Sequence, residues 1–350
     1  MQQVDLALLG FGNVGRALAR LLLAKRDDLK ERYGIEWRVV GIAGRRAGAA
    51  IDPSGIDLQR ALALVDRGGS LAELSASRAE GSQSAPAGTA FVRACGADVL
   101  FENTPVNYET GQPAIDHLRA ALDAGMHAIT ANKGPVVHAY RELRDLAHAR
   151  GKRFLFESSV MDGAPLFSLW RAALPGARLL SFRGILNSTT NLILTLMESG
   201  QTFDEAVAQA QSIGVAETDP RGDILGWDAA VKVAALATVL MDAPILPQQV
   251  ERQGIEGITP MLVREAREEG RRWKLVCRAE HGAGGLQASV APERLTPDDP
   301  LYSVMGTSSS ITFVSDVLGP LTIMEDNAGP DTTAYGLLAD LINCVGTPVE

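Results

Sequence analysis

The sequence predicts an α/β protein in which a doubly wound parallel sheet is followed by a second, α+β domain. Three observations carry that expectation. A short apolar run, Val4 to Leu9, ends at a glycine-rich turn that opens a helical pattern. Strand-like and helical runs then alternate as far as Glu157, the signature of parallel strands joined by helices. Beyond Glu157 the alternation gives way to clustered helices and later strand-like runs. At 350 residues the chain is long enough for two cores.

Each element has its own warrant. Val14 to Leu23 carries apolar residues at helical spacing, and Trp37 to Ile42 reads as the second strand. Ser75 to Gly88, rich in Ser, Ala and Gly, reads as an irregular loop. Val99 to Glu102 is a strand running into Asn103, Thr104 and Pro105. A helix over Ala114 to Ala124, a strand at His127 to Thr130, a helix over Tyr140 to Arg150 and a strand at Phe154 to Glu157 complete the first part. In the second, Leu179 to Leu186 is strand-like and helices are expected at Asn191–Glu198, Phe203–Ile213 and Trp227–Met241. Lys274–Ala279, Leu286–Val290 and Ile311–Val314 are further strands, and Thr333 to Cys344 is helical in pattern. That last helix is expected to return to the first domain, which gives 1–155 plus 318–350 for one domain and 156–317 for the other.

Composition excludes several classes. A net charge of −9 argues against a nucleic-acid partner. No apolar run reaches the ~18 residues of a membrane span, and the N-terminal segment lacks the marks of a signal peptide, so a cytoplasmic protein is expected. Cys95, Cys277 and Cys344 are far apart in sequence and show no CxxC spacing, so no metal site or disulfide framework is expected on them. Only six of the 33 basic residues are lysines. A lysine retained in an apolar setting therefore deserves a chemical explanation.

Gly10-Phe11-Gly12-Asn13-Val14-Gly15 is a GxGxxG stretch placed between a strand and a helix, the context of a Rossmann-type dinucleotide site. Gly10 allows the tight turn, Gly12 lets a pyrophosphate approach the backbone, and Gly15 lets helix and strand pack closely. The second strand ends in Gly44-Arg45-Arg46, with no carboxylate before Asp52 to receive a ribose 2′-hydroxyl. Two guanidinium groups suit a 2′-phosphate, so NADP(H) is favoured, with NAD(H) the alternative.

The most informative segment runs from Gly214 to Lys232. It places Glu217, Asp219, Asp223 and Asp228 within twelve residues and adds Lys232. Asp228 and Lys232 stand at i and i+4 of a helix whose other residues, Ala229 to Val231 and Val233 to Leu236, are apolar nearly all round. A solvated ion pair would not need such surroundings. An interior or cleft-wall pair, available for acid–base work, would.

These motifs resemble homoserine dehydrogenases. The chain matches every fixed position of that family's G-x-x-E-x-D-P-x-x-D-x-x-G-x-D-x-x-x-K signature. Gly184-Ile-Leu-Asn187-Ser188-Thr189-Thr190-Asn191 is similar to its GILNGTTN, and Asn132-Lys133-Gly134-Pro135 to its NKGP. Ala328-Gly329 followed by Thr333-Ala334 is similar to its AGxxxTA element. The resemblance spans residues 10 to 340 in the family's order.

The resemblance implies reversible reduction of L-aspartate 4-semialdehyde to L-homoserine, the second domain binding substrate and forming a homodimer. It assigns Lys232 as proton donor and Lys133 as a second lysine near the nicotinamide. Glu217, Asp223 and Asp228 become substrate ligands. Asn13, Val14, Thr104, Lys133 and Gly329 join Gly10, Gly12, Gly15, Arg45 and Arg46 as cofactor contacts. Glu157, Val160, Asp162 and Ala164 match a segment linked to a monovalent cation. The chain departs from the family at Ser188, at Asp162, where relatives carry glycine, and at Glu325 to Asn327. Asp162 leaves open a related dehydrogenase acting on another small amino or hydroxy acid. The resemblance is to the short form, without a regulatory ACT or aspartate kinase domain, so insensitivity to threonine is expected.

Overall fold

The structure, a computed structural model, describes residues 2–75, 86–282 and 284–346. Most of the loop expected from Ser75 to Gly88 lies outside the described residues; Gly88 itself opens a helix, Gly88–Cys95. The chain divides into two compact units, Met1–Pro165 with Pro330–Glu350, and Leu166–Gly329.

The first unit is built on strands β1 (Gln2–Leu9), β2 (Ile35–Gly44), β3 (Gly48–Ile51), β4 (Val99–Glu102), β5 (His127–Thr130) and β6 (Phe154–Leu155), in the order β3-β2-β1-β4-β5-β6. All neighbours are parallel except β3, which runs antiparallel to β2. The period-two alternation of β1 sends Leu6 and Leu8 into one core and Ala7 and Leu9 into another. The first of these cores includes Leu18 and Leu22 of the Asn13–Ala24 helix and Leu337 and Leu341 of the Pro330–Val345 helix. The second includes Phe91, Val92 and Ala121. Burial on both faces explains why β1 reads as a nearly continuous apolar run, interrupted between Val4 and Leu9 by Asp5 alone. β3 escaped the sequence reading because its residues, Gly-Ala-Ala-Ile, have little strand preference and follow a turn closed at Gly48 with φ 75°.

The second unit contains β7 (Leu179–Ile185), β8 (Glu251–Arg252), β9 (Arg272–Gly282), β10 (Gly285–Leu295), β11 (Ser309–Ser315) and β12 (Leu321–Glu325), in the order β12-β11-β7-β9-β10-β8. Helices Ser188–Glu198, Phe203–Ser212 and Trp227–Leu240 lie close to the expected bounds.

The two divisions fall about ten residues later than the sequence placed them. Residues 156–165 stay with the first unit because the Glu157 N–H donates to Asp340 (2.8 Å) and the Ser158 hydroxyl to the Thr333 carbonyl (2.7 Å). Residues 318–329 stay with the second because β12 pairs antiparallel with β11. Glu157 itself lies in a short 3-10 turn rather than at a strand end.

Candidate functional site

Two sites emerge, one in each unit. In the first, the Gly10 N–H donates to the Ala43 carbonyl (2.8 Å) and the Asn103 N–H to the Leu9 carbonyl (2.7 Å), drawing the ends of β2 and β4 against the turn after β1. Gly10 has φ +101°, and a Cβ there would lie 2.3 Å from the Asn103 carbonyl oxygen. A Cβ on Gly15 would lie 2.3 Å from the Gly10 oxygen, whereas one on Gly12 would meet nothing within 4 Å. The turn is therefore closed on the protein side and open at Gly12. The Asn13–Ala24 helix starts there with no side-chain cap and no acidic residue in its first turn. Uncapped N–H groups at a helix start favour an anion. The Asn13 side chain accepts from Arg16 (3.0 Å).

Arg45 and Arg46 are exposed in the turn between β2 and β3 and make no ion pair with a described residue. Asn103 was missed as a site residue. Both polar atoms of its side chain are buried and lack a hydrogen-bond partner among the described residues, at the mouth of the glycine turn. A buried amide left unsatisfied by its own protein is a reasonable ligand contact. Thr104, expected as a cofactor contact, directs its hydroxyl and N–H to the Glu102 carboxylate. Lys133 is half-buried at the start of the Lys133–His138 helix, and Gly329 immediately precedes the Pro330–Val345 helix.

The candidate cation segment also belongs to the first unit. Glu157 is buried, as are Val160 and Ala164. Asp162 has φ 37°, a left-handed conformation that glycine adopts freely and aspartate tolerates. Its carboxylate accepts from the hydroxyls of Thr332 (3.2 Å) and Thr333 (3.0 Å) in the first turn of the Pro330–Val345 helix. An anion there is favoured by the helix dipole. Asp162→Ala should therefore lower unfolding free energy by about 1–2 kcal/mol, as loss of a helix-start carboxylate does, without changing substrate preference. Urea denaturation and a substrate panel check this; a changed preference at unchanged stability would contradict it. Among the described residues, no group of three or more His, Cys, Asp or Glu could hold a metal ion.

In the second unit the Trp227–Leu240 helix is buried on nearly every side, from Ala229 to Val231 and from Val233 to Thr238. It begins after Gly226, whose φ of 76° ends the preceding short helix, Arg221–Ile224. Asp228 is 5% exposed, and its Oδ2 lies 3.2 Å from the Lys232 ammonium. Lys232 also donates to the Leu186 carbonyl at 2.5 Å. An ammonium has three donors, so one remains after these two.

Asn187 ties the cluster together. Its Oδ1 caps the Ser188–Glu198 helix by accepting from the Thr190 N–H (2.8 Å). Its Nδ2 donates to Asp223 Oδ1 (2.7 Å) and Asp228 Oδ2 (2.9 Å). The sequence motif contained Asn187, but only the fold shows that it gathers Asp223, Asp228 and, through Asp228, Lys232. Glu217 is not in this network: it is exposed in the segment before Pro220, and its side chain bonds to no described residue. Asp219 is exposed too, and its ion pair with Arg221 (2.5 Å) holds its carboxyl down at about 2.

In the sequence Lys274 has no role beyond the start of a strand, yet it is fully buried. Lys274 on β9 is 0% exposed and donates to Asn191 Oδ1 (2.9 Å) and to the Val304 carbonyl. Burial lowers its pKa to about 8.

Comparison with known proteins covers both units. Residues 165–342 match the family model described as homoserine dehydrogenase, and residues 10–157 match that of the homoserine dehydrogenase NAD-binding domain. The NAD(+)-dependent homoserine dehydrogenase of Pseudomonas canavaninivorans is 38% identical, the alignment covering 98% of this chain and 96% of that one. The homoserine dehydrogenase of Methanocaldococcus jannaschii is 37% identical over 97% and 98% of the two chains. Among solved structures, a hyperthermophilic archaeal homoserine dehydrogenase in complex with NADPH superposes with a TM-score of 0.81 at 28% identity, covering 98% of each chain. That of Thiobacillus denitrificans also gives 0.81, at 29% identity, with 98% of this chain and 73% of that one covered.

Proposed function

Because this chain belongs to the homoserine dehydrogenase family and is an NAD(P)-dependent oxidoreductase, we propose that Lys232 is the proton donor in its interconversion of L-aspartate 4-semialdehyde and L-homoserine. The observation that carries this is the Asn187–Asp223–Asp228–Lys232 cluster, with Asn187 and Asp228 buried and Asp223 and Lys232 half-buried, in which the ammonium keeps one N–H beyond those given to Leu186 and Asp228. The reduced nicotinamide supplies hydride when bound. The remaining Lys232 N–H donates to the aldehyde oxygen, stabilises the alkoxide as it forms and transfers a proton to it. Asp228 holds the ammonium in place, while Asp223 and the unengaged Glu217 receive the substrate's ammonium and hydroxyl donors. Lys133 serves the nicotinamide side.

Two of the departures from the family fit this substrate. Asp162 spends its carboxylate on two threonines, and the Ser188 hydroxyl lies 3.4 Å from that of Ser309. Neither requires a different aldehyde. The decisive assay follows NADPH or NADH oxidation with aspartate 4-semialdehyde beside a panel of small aldehydes; preference for another member would reject the assignment.

Gly10, Gly12, Asn13, Val14 and Gly15 are assigned to the dinucleotide pyrophosphate, with Asn103, Thr104, Lys133 and Gly329 as further contacts. Arg45 and Arg46 favour NADP(H) over NAD(H) by offering guanidinium groups to a 2′-phosphate. The Pseudomonas relative carries NAD(+) in its name and the archaeal structure holds NADPH, so the family does not decide between them. Fluorescence titration should give tighter binding of NADPH than of NADH, and replacing both arginines should narrow the gap. Tighter NADH binding would overturn this assignment.

For a monovalent cation the fitting donors are hard oxygens: the buried Glu157 carboxylate and the main-chain carbonyls of Val160 and Ala164. Asp162 contributes through its position in the turn, since its carboxylate is occupied. The second unit is the proposed dimerisation surface. Leu180 and Met324 of its sheet and Val317 and Leu318 of the β11–β12 connection are exposed, and the unit carries a cavity of about 370 Å³ lined by Ser181, Arg183, Arg278, Thr312 and Val314. Sedimentation at micromolar concentration tests for the dimer.

A further inference from the structure

We propose that Glu102, with His117 and Thr130, is a positioning device for Lys133, so that a fully buried carboxylate sets the geometry of a lysine through the backbone that carries it. Glu102 ends β4 and is 0% exposed. Such a carboxylate is costly unless its oxygens are satisfied. Oε1 accepts from the Thr104 N–H (3.3 Å) and hydroxyl and lies 3.3 Å from His117 Nδ1; the Thr130 hydroxyl donates to the Glu102 main-chain carbonyl (2.7 Å) and shares that proton with Oε2 (3.2 Å).

From Thr130 the network continues to the lysine turn. The Thr130 hydroxyl oxygen accepts from the Asn132 N–H (2.9 Å), and Asn132 Oδ1 accepts from the Gly134 N–H (3.0 Å). Asn132 Nδ2 donates to the Thr104 carbonyl (3.0 Å), closing the circuit on Glu102's own neighbour. The backbone of Lys133 is thus held on both sides. Gly134 adds a steric limit, since a Cβ there would lie 2.8 Å from the Gly111 Cα. His117 is 5% exposed and packs on the far side of the carboxylate. A core that needed only packing would have no use for a buried acid, imidazole, two threonines and an asparagine in one closed network. Fixing a reacting side chain to within a fraction of an ångström would use all of them.

The proposal rests on the assignment of Lys133 to the nicotinamide side, and a double-mutant cycle separates the two. Thr130→Val removes the hydroxyl at constant shape, and Thr130→Ser keeps it. In the full-length protein, Thr130→Val should lower kcat about 10-fold with dinucleotide Kd changed less than about 2-fold, and Thr130→Ser should restore most of the loss. In a Lys133→Ala background, Thr130→Val should cost almost nothing further, because the residue it positions is gone. Glu102→Gln, run as a second variant, should behave in the same way, and thermal melting shows whether either variant is folded. A slow Lys133→Ala enzyme in which Thr130→Val still costs its full factor would overturn the positioning role alone. Near-normal turnover of Lys133→Ala would overturn the assignment of Lys133 and the positioning role together.

Discussion

Lys232→Ala should lower turnover by roughly 10² or more, the usual scale for removing a general acid, while dinucleotide affinity stays near wild type. Asp228 and the Leu186 carbonyl, both of the second unit, hold the ammonium, and Asn187 donates to Asp228. Loss of the side chain removes both the proton and the positive charge that stabilises the alkoxide. It also leaves Asp228 buried without its cation, though the Asn187 amide still donates to it. A buried carboxylate that loses its partner destabilises the fold, so a control is needed. Lys232→Arg provides it: the charge stays beside Asp228, but a guanidinium does not release its proton near neutral pH. Both variants should bind NADPH, and both should turn over aspartate 4-semialdehyde slowly. If the arginine variant were slow and the alanine variant near normal, Lys232 would be a structural ion-pair member and the proton would come from elsewhere.

The sequence disclosed the chemistry-bearing residues more fully than their connections. β1 and the Gly10–Gly15 turn were legible because both faces of β1 are buried and only glycine fits at Gly10. The Trp227–Leu240 helix was legible because burial on all sides makes its charged pair conspicuous. β3, with two alanines and a glycine, carries no pattern that could announce it. Asn103 and Asn187 illustrate a second limit. An asparagine's role depends on what its amide meets, and those partners are distant in sequence: Asp223 and Asp228 lie 36 and 41 residues from Asn187. Asp162 shows a third. Read as a motif position, its charge points toward a cation; in the fold, its carboxylate holds the start of a helix 170 residues away.

Asn187→Asp should separate the two tasks of the residue at the centre of the substrate cluster. Aspartate caps a helix as well as asparagine does, so acceptance of the Thr190 N–H survives the change. The other half of the side chain is a different matter. Where the wild type presents an NH₂ group to Asp223 and Asp228, the variant presents a carboxylate oxygen at distances of 2.7 and 2.9 Å in the unrelaxed geometry. Three carboxylates in contact cannot all ionise cheaply. At about pH 8 the cluster should open, and kcat/KM should fall by roughly 10², the cost of a misplaced reacting group. Lowering the pH toward about 6 protonates one of the three, restores a donor between the others and should recover part of the lost activity. The wild type, with an amide at this position, is the reference for that change. A kcat/KM profile against pH, with thermal melting at each pH, follows both effects. Equal activity of variant and wild type at about pH 8 would mean that Asn187 acts only as a helix cap and that Asp223 and Asp228 are aligned without it.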